Sequence, residues 1–178
     1  MRKVISTTFL SLDGVMQDPS WTMPYWNDEI AKYKGDELFE SDALLLGRVT
    51  YEGFAAAWPG RTDEQGFADR MNSLPKYVVS ATLETLTWNN SHLIRSNVAE
   101  EVAKLKQQDG ANILIGGSAT LIQTLLAHGL IDEVRLLVYP VILGSGKRLF
   151  RDGDTATLKL VVAKTFDSVV ALTYQPAG

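Results

Sequence analysis

The stretch from Ala111 to Gly129, ANILIGGSATLIQTLLAHG, restricts the chain to folds in which a buried strand turns directly into a helix. Asn112-Ile113-Leu114-Ile115 is apolar and partly β-branched, long enough for a buried strand and too short for a helix. Gly116 and Gly117 stop it. Ser118 then opens a helix whose apolar residues Ala119, Leu121, Ile122, Leu125 and Leu126 recur at i, i+3 and i+4, with Gly129 at the C-terminal cap. Such a turn leaves backbone N–H groups free at the helix start, where the dipole favours an anion, above all a phosphate. These residues taken alone are equally compatible with a tight turn that binds nothing. The stretch is not the GxGxxG dinucleotide fingerprint.

The rest of the chain alternates in the same way. Residues 3–10 (KVISTTFL) read as a buried first strand, ended by Ser11-Leu12-Asp13-Gly14. A long aromatic loop, VMQDPSWTMPYW, runs to Trp26, of the kind that serves as a lid or binding loop, or that covers a core edge or a partner subunit. Asn27 is placed to cap a helix through Phe39. Asp42–Leu46 reads as a second buried strand closed by Gly47, with a helix from Arg48 that ends before Trp58-Pro59. Residues 60–72 are expected to be loop with a helical turn or two. Strands follow at Lys76–Ser80 and at 92–95 (HLIR). Asn97 with Glu100 resembles a capping box, opening a helix through Gln108. Asp132–Leu143 reads as a long strand bent at Pro140. Thr157–Phe166 and Val169–Gln175 form a hairpin about Asp167-Ser168. The pattern is α/β, with helices flanking a mixed, mostly parallel sheet that is antiparallel at its C-terminal edge.

At 178 residues the expectation is a single domain. A net charge of −4 gives no general attraction to nucleic acid or to anionic membrane. No window approaches the roughly 18 apolar residues of a membrane span, and MRKVISTTF lacks a signal-peptide core. No cysteine is present, which excludes disulfides, thiolate metal sites and a cysteine nucleophile. His92 and His128 lie far apart, so no metal site is expected. His128, in a helix's last turn, suits a dipole-favoured cation. A cytoplasmic protein acting on a small molecule is the default. Gly144-Ser145-Gly146-Lys147-Arg148 is a turn rather than a P-loop, which needs Ser or Thr after its lysine.

Both strand–glycine–helix turns, at Gly47 and at Gly116-Gly117, open on the carboxyl edge of the sheet, where ligands of such sheets bind. One offers bare backbone donors suited to a pyrophosphate. The other adds Arg48, whose planar fork pairs with phosphate, and the Thr50 hydroxyl. The pair suits a dinucleotide with an extra phosphate, NADPH rather than NADH. A solvated helix-start arginine is the alternative for Arg48.

The order SLDG, aromatic loop with Met-Pro, GRVTYEGF, VVSATL, IGGSATLI and DEVRLLVYPVILGSGKRLF resembles the dihydrofolate reductase-like superfamily. Within it the chain is similar to the reductase domain of the bifunctional riboflavin-biosynthesis deaminase-reductase, from about Lys3 to about Tyr174. The resemblance implies a dihydrofolate reductase-like three-layer fold with an NADPH groove across the carboxyl edge. On the matching positions Arg48 and Thr50 would hold the adenosine phosphate, and Ser80, Ala81 and Thr82 would flank the adenine. Gly116, Gly117, Ser118, Ala119 and Thr120 would cradle the pyrophosphate. Asp13 would face the nicotinamide and substrate as the first candidate for proton delivery. Residues 15–26 would form a mobile lid whose Trp21, Met23 and Trp26 are candidate substrate contacts. A homodimer built on the C-terminal half is implied as well.

Two positions depart from the family pattern. Ile115 stands where the riboflavin reductases usually carry a glutamate. Asp28 and Glu29 lie near, but out of register with, the acid that supports protonation in dihydrofolate reductases. The expected activity is NADPH-dependent reduction of a ribosylamino-pyrimidine or related small heterocycle. The alternatives are dihydrofolate reduction, or a dinucleotide- or ligand-binding dimer without chemistry. Deamination is excluded, because no histidine-cysteine zinc motif exists in the chain.

Overall fold

A single eight-stranded sheet runs through the computed structural model of the chain, which describes residues 1–178. The strands are β1 (Val4–Leu10), β2 (Ser41–Gly47), β3 (Lys76–Val79), β4 (Ser91–Ile94), β5 (Asn112–Gly116), β6 (Glu133–Val138), β7 (Leu158–Phe166) and β8 (Val169–Pro176). The helices are α1 (Asp28–Phe39), α2 (Arg48–Ala57), α3 (Phe67–Ser73), α4 (Val98–Gln107) and α5 (Ala119–Ala127). The spatial order is β4-β3-β2-β5-β1-β6-β8-β7. Every pair from β4 to β6 is parallel, and β8 runs antiparallel to both β6 and β7. This is the expected architecture, a dihydrofolate reductase-like three-layer fold.

The central strands are apolar on both faces because helices cover both. Val4, Leu45, Ile113, Ile115 and Val134 pack with Val102 and Leu105 of α4 and Ile122 and Leu125 of α5. On the opposite face Ile5, Leu44, Leu46 and Val78 pack with Leu38 of α1, Tyr51 of α2 and Met71 of α3. Each fully buried Leu or Ile contributes about 1.5–3 kcal/mol. Lys76 is also fully buried, its ammonium donating to the carbonyls of Asn72 and Asn89 and lying 4.2 Å from the Trp88 ring. Burial lowers its pKa to about 8.

Local signals account for several boundaries. Asn27 caps α1, its Oδ1 accepting the Ile30 amide at 2.9 Å. Gly129, at φ 66°, follows α5 as expected. Asp167, at φ 60°, makes the hairpin turn. Three expectations are corrected. Asn97 does not cap α4: it sits in the left-handed region and makes no side-chain capping bond. The strand expected over 132–143 ends at Val138: the Tyr139 amide makes the last regular rung, to the Leu10 carbonyl, after which Pro140 has no amide to give and the Val141 amide closes back on Tyr139. The aromatic segment is not an open loop, since Pro19–Tyr25 forms a 3₁₀ helix.

Candidate active site

Parallel pairing brings the carboxyl ends of β1, β2, β3 and β5 to one edge, with Gly47 level with Val79 and Gly116 level with Thr7. The two glycine turns meet there. A Cβ on Gly47 would overlap Ser118 Oγ, and a Cβ on Gly117 would lie 3.1 Å from Thr50 Oγ1. Gly117 and Ser118 both adopt positive φ, 71° and 58°. Ser118 does not cap α5, and no side chain caps α2. The first amides of two helices are therefore left free side by side, and their dipoles add at the same place.

The neighbouring side chains have separate tasks. Arg48 is exposed and makes only a surface pair with Glu52 at 3.2 Å, so its guanidinium is at liberty to meet an anion. Thr50 Oγ1 lies against Gly117. Ala119 is buried and offers only its backbone, whereas Thr120 is exposed and its Oγ1 accepts from Lys147 Nζ at 3.3 Å. Ser80 spends its hydroxyl on its own turn, accepting the amides of Thr82 and Leu83 at 3.2 and 3.0 Å, while Thr82 stays exposed. Beyond that turn a cavity of about 290 Å³ separates α2 from residues 83–87.

Asp13 is placed at the end of β1, but as a clamp. Its carboxylate accepts the Ser11 hydroxyl, the Gly144 amide at 2.8 Å and the Leu143 amide at 3.2 Å. Those bonds hold its carboxyl at about 2, below the ordinary 3.8. Those bonds favour the ionised form, in which Asp13 ties the 143–144 turn to the end of β1.

Of the three aromatic-segment candidates, Trp21 is turned inward. Its indole N–H donates to the Gln17 carbonyl at 3.1 Å, and its ring meets Tyr139 edge-on at 5.6 Å. Tyr25 and Phe9 complete an aromatic cage around Tyr139, at 5.9 and 5.7 Å. The Tyr139 hydroxyl has no partner, and burial raises its pKa to about 12. Met23 and Trp26 face solvent at the outer side of the segment. Asp28 and Glu29 are exposed in the first turn of α1, where they complement the dipole.

A buried ionic network under α1 escaped the sequence reading. Glu37 accepts from Thr7 Oγ1 at 3.0 Å, Lys34 Nζ at 2.7 Å and Arg135 at 3.4 Å, and Arg135 also grips Glu133 at 2.9 Å. The signal was present: Ile30, Lys34, Glu37 and Leu38 form one helical stripe, and two of its four members are charged. No cluster of acidic or histidine side chains is arranged to hold a metal ion. No helix is long and apolar enough to cross a membrane.

Residues 2–172 match the family model described as RibD C-terminal domain. The uncharacterized protein YyaP of Bacillus subtilis is 34% identical over 182 residues, covering 99% of this chain and 96% of YyaP. Among solved structures, a diaminohydroxyphosphoribosylaminopyrimidine deaminase/5-amino-6-(5-phosphoribosylamino)uracil reductase from Thermotoga maritima superposes with a TM-score of 0.69 at 18% identity. It covers 99% of this chain, which spans 57% of that one. Dihydrofolate reductase from Enterococcus faecalis, complexed with NADP(H), superposes with a TM-score of 0.68 at 16% identity, over 99% and 97% of the two chains.

Proposed function

The chain belongs to the RibD C-terminal domain family, and on that premise we propose that it is a single-domain, cytoplasmic, NADPH-dependent reductase of a small heterocyclic substrate. The substrate class is that of 5-amino-6-(5-phosphoribosylamino)uracil, as in riboflavin biosynthesis. The observation that carries this reading is the meeting of the uncapped α2 and α5 N-termini, with Gly47 and Gly117 kept bare of side chain. Backbone donors and summed dipoles at that point fit a pyrophosphate. Arg48 and Thr50 then bind the extra adenosine phosphate, and Ser80 and Thr82 bound the adenine side. Gly116 to Thr120 form the cradle.

When bound, the cofactor supplies a hydride. The protein's residues orient and shield. The Asp13 carboxylate holds the 143–144 turn against the end of β1 and leaves a negative charge there, favouring a substrate that gains positive character. A nearby acid or an ordered water delivers the proton, and Asp13, at the end of β1, is the first candidate. Trp21 anchors the aromatic segment over Tyr139, and the exposed Met23 and Trp26 are the members left free to contact a substrate. Pairing of two copies of the chain is proposed through the outer strand β7, whose Leu160, Val161 and Val162 are exposed.

A binding-only reading is favoured by one residue, Ile115, fully buried and apolar where the family's glutamate stands. Calorimetric titration with NADPH and NADH, followed by turnover assays on candidate pyrimidines, separates the readings. Preferential NADPH binding with turnover supports the reductase, binding without turnover supports the second reading, and no binding of either cofactor removes both.

A further inference from the structure

Behind the glycine cradle, on the other side of the first turn of α5, lies a cavity of about 520 Å³. Thr120 and Gln123 of α5 form one wall, and Lys147, Arg148 and Arg151 supply the charge of the other, offset by the single carboxylate of Asp152. In a chain of net charge −4 this is a local excess of positive charge. Neither Lys147 nor Arg148 has a carboxylate within 4.0 Å, whereas Arg151 is paired with Asp154 at 3.2 Å. Two adjacent like charges, neither paired with a carboxylate, favour an anion between them.

The backbone that carries them is fixed from several sides. Asp13 takes the amides of Leu143 and Gly144. Gln17 takes the Lys147 amide at 2.9 Å, while the Lys147 carbonyl accepts from Met16. Gln123, nearly buried, donates to the Leu149 carbonyl at 2.6 Å, and the Leu149 amide reaches Gly14 at 3.2 Å. Gly146, at φ 124°, is pressed so close to Val15 that a Cβ would lie 2.6 Å from its Cγ1. These bonds pre-order the platform, so little conformational entropy is lost when an anion docks.

We propose that this cavity is a phosphate subsite, distinct from the Gly116-Gly117 backbone donors and sharing only Thr120 with the cradle, and going beyond the reductase reading. A lysine point charge, the unpaired Arg148 fork and the Thr120 hydroxyl suit a tetrahedral dianion, with Arg151, held by Asp154, at the rim, and the volume lies within the range of small-ligand pockets. The phosphate belongs either to the dinucleotide or to a second phosphorylated small molecule.

Amide NMR titration of the protein with inorganic phosphate tests the assignment. Saturable shifts are expected at Thr120, Gly146, Lys147, Arg148 and Arg151. Lys147→Gln combined with Arg148→Gln, both on exposed side chains, is expected to weaken that binding roughly tenfold or more, since each charged hydrogen bond carries weight. Shifts confined to Gly116–Ala119, or a double variant that titrates like the wild type, overturn the proposal. A repeat at saturating NADPH identifies the source. Displaced phosphate, with weaker NADPH binding by the double variant, assigns the subsite to the cofactor, and retained phosphate assigns it to a second molecule. Phosphate binding without any NADPH binding overturns the reductase reading alone. NADPH binding with phosphate indifferent to Lys147 and Arg148 overturns the subsite alone.

Discussion

Gly47 and Ser118 touch where the two strand–helix turns meet, and a Cβ on Gly47 would overlap the serine hydroxyl while lying 3.1 Å from its Cβ. Gly47→Ala therefore overpacks a junction between β2 and α5. The expected loss is about 1–3 kcal/mol, measured by urea unfolding. Ser118→Ala in the same chain removes the overlapping oxygen and is expected to restore part of that loss. Strict additivity of the two changes would mean that they do not share this contact.

Arg48 is predicted to discriminate between cofactors. Its guanidinium has only a surface partner to give up, and only NADPH carries the extra phosphate. Arg48→Ala is expected to weaken NADPH by about 1.5–3 kcal/mol and to leave NADH nearly unchanged in calorimetric titrations. Equal weakening of both would make Arg48 a structural residue.

Asp13 gives a pH signature. Its folded pKa of about 2 lies below the ordinary 3.8, so the unfolded chain binds its proton first as pH falls. The stabilisation it provides is complete above 3.8 and lost as pH drops toward 2. Urea midpoints of wild type and Asp13→Asn are expected to differ at pH 6 and to converge toward pH 2. The same variant is expected to slow turnover while leaving NADPH affinity intact, and an unchanged rate would remove Asp13 from the chemistry.

Glu37 separates a buried ionic network from a surface one. It is almost fully buried and shared by Lys34, Arg135 and Thr7. Glu37→Ala leaves Lys34 without a carboxylate and Arg135 with Glu133 alone, and is expected to cost about 3–5 kcal/mol. One residue earlier, Asp36→Ala breaks an exposed pair with Lys32 and is expected to cost about 0–1 kcal/mol. Thermal and urea unfolding of the two variants side by side check the contrast.

Lys76 shifts stability at the other end of the pH scale. Burial places its folded pKa at about 8, below the ordinary 10.5, so between those values the unfolded chain binds more protons and stability rises with pH. Lys76→Met abolishes the titration. The stability difference between wild type and variant is expected to move in favour of the wild type from pH 8 to 10.5, and a flat difference would mean that the carbonyls and the Trp88 ring keep the ammonium charged throughout.

What was legible in the sequence was local. Asn27 before Asp28-Glu29-Ile30 announced a helix start, and the apolar runs ending in Gly47 and Gly116 announced the two turns, because those signals act over a few residues. That Gly47 and Ser118 would touch was not readable, since it follows from β2 and β5 lying side by side. Asn97 misled because its backbone entered the left-handed region, which takes the side chain away from the amides it would cap. The role of Asp13 depends on amides 130 residues further along the chain. Glu37 depends on an arginine 98 residues away, so a charged pair inside an apolar stripe was the only trace of the network.

The position of β1 has a consequence for the newborn chain. Val4 is paired with Ile113 and Ile5 with Glu133, so the first strand to be synthesised occupies the middle of the sheet and finds both its neighbours late. During translation β1 emerges with both edges open, and nothing made before Asn112 can pair with it. Such long-range closure is slow and exposed to aggregation. Until the second half of the chain has left the ribosome, this segment has two open edges and no sheet to join.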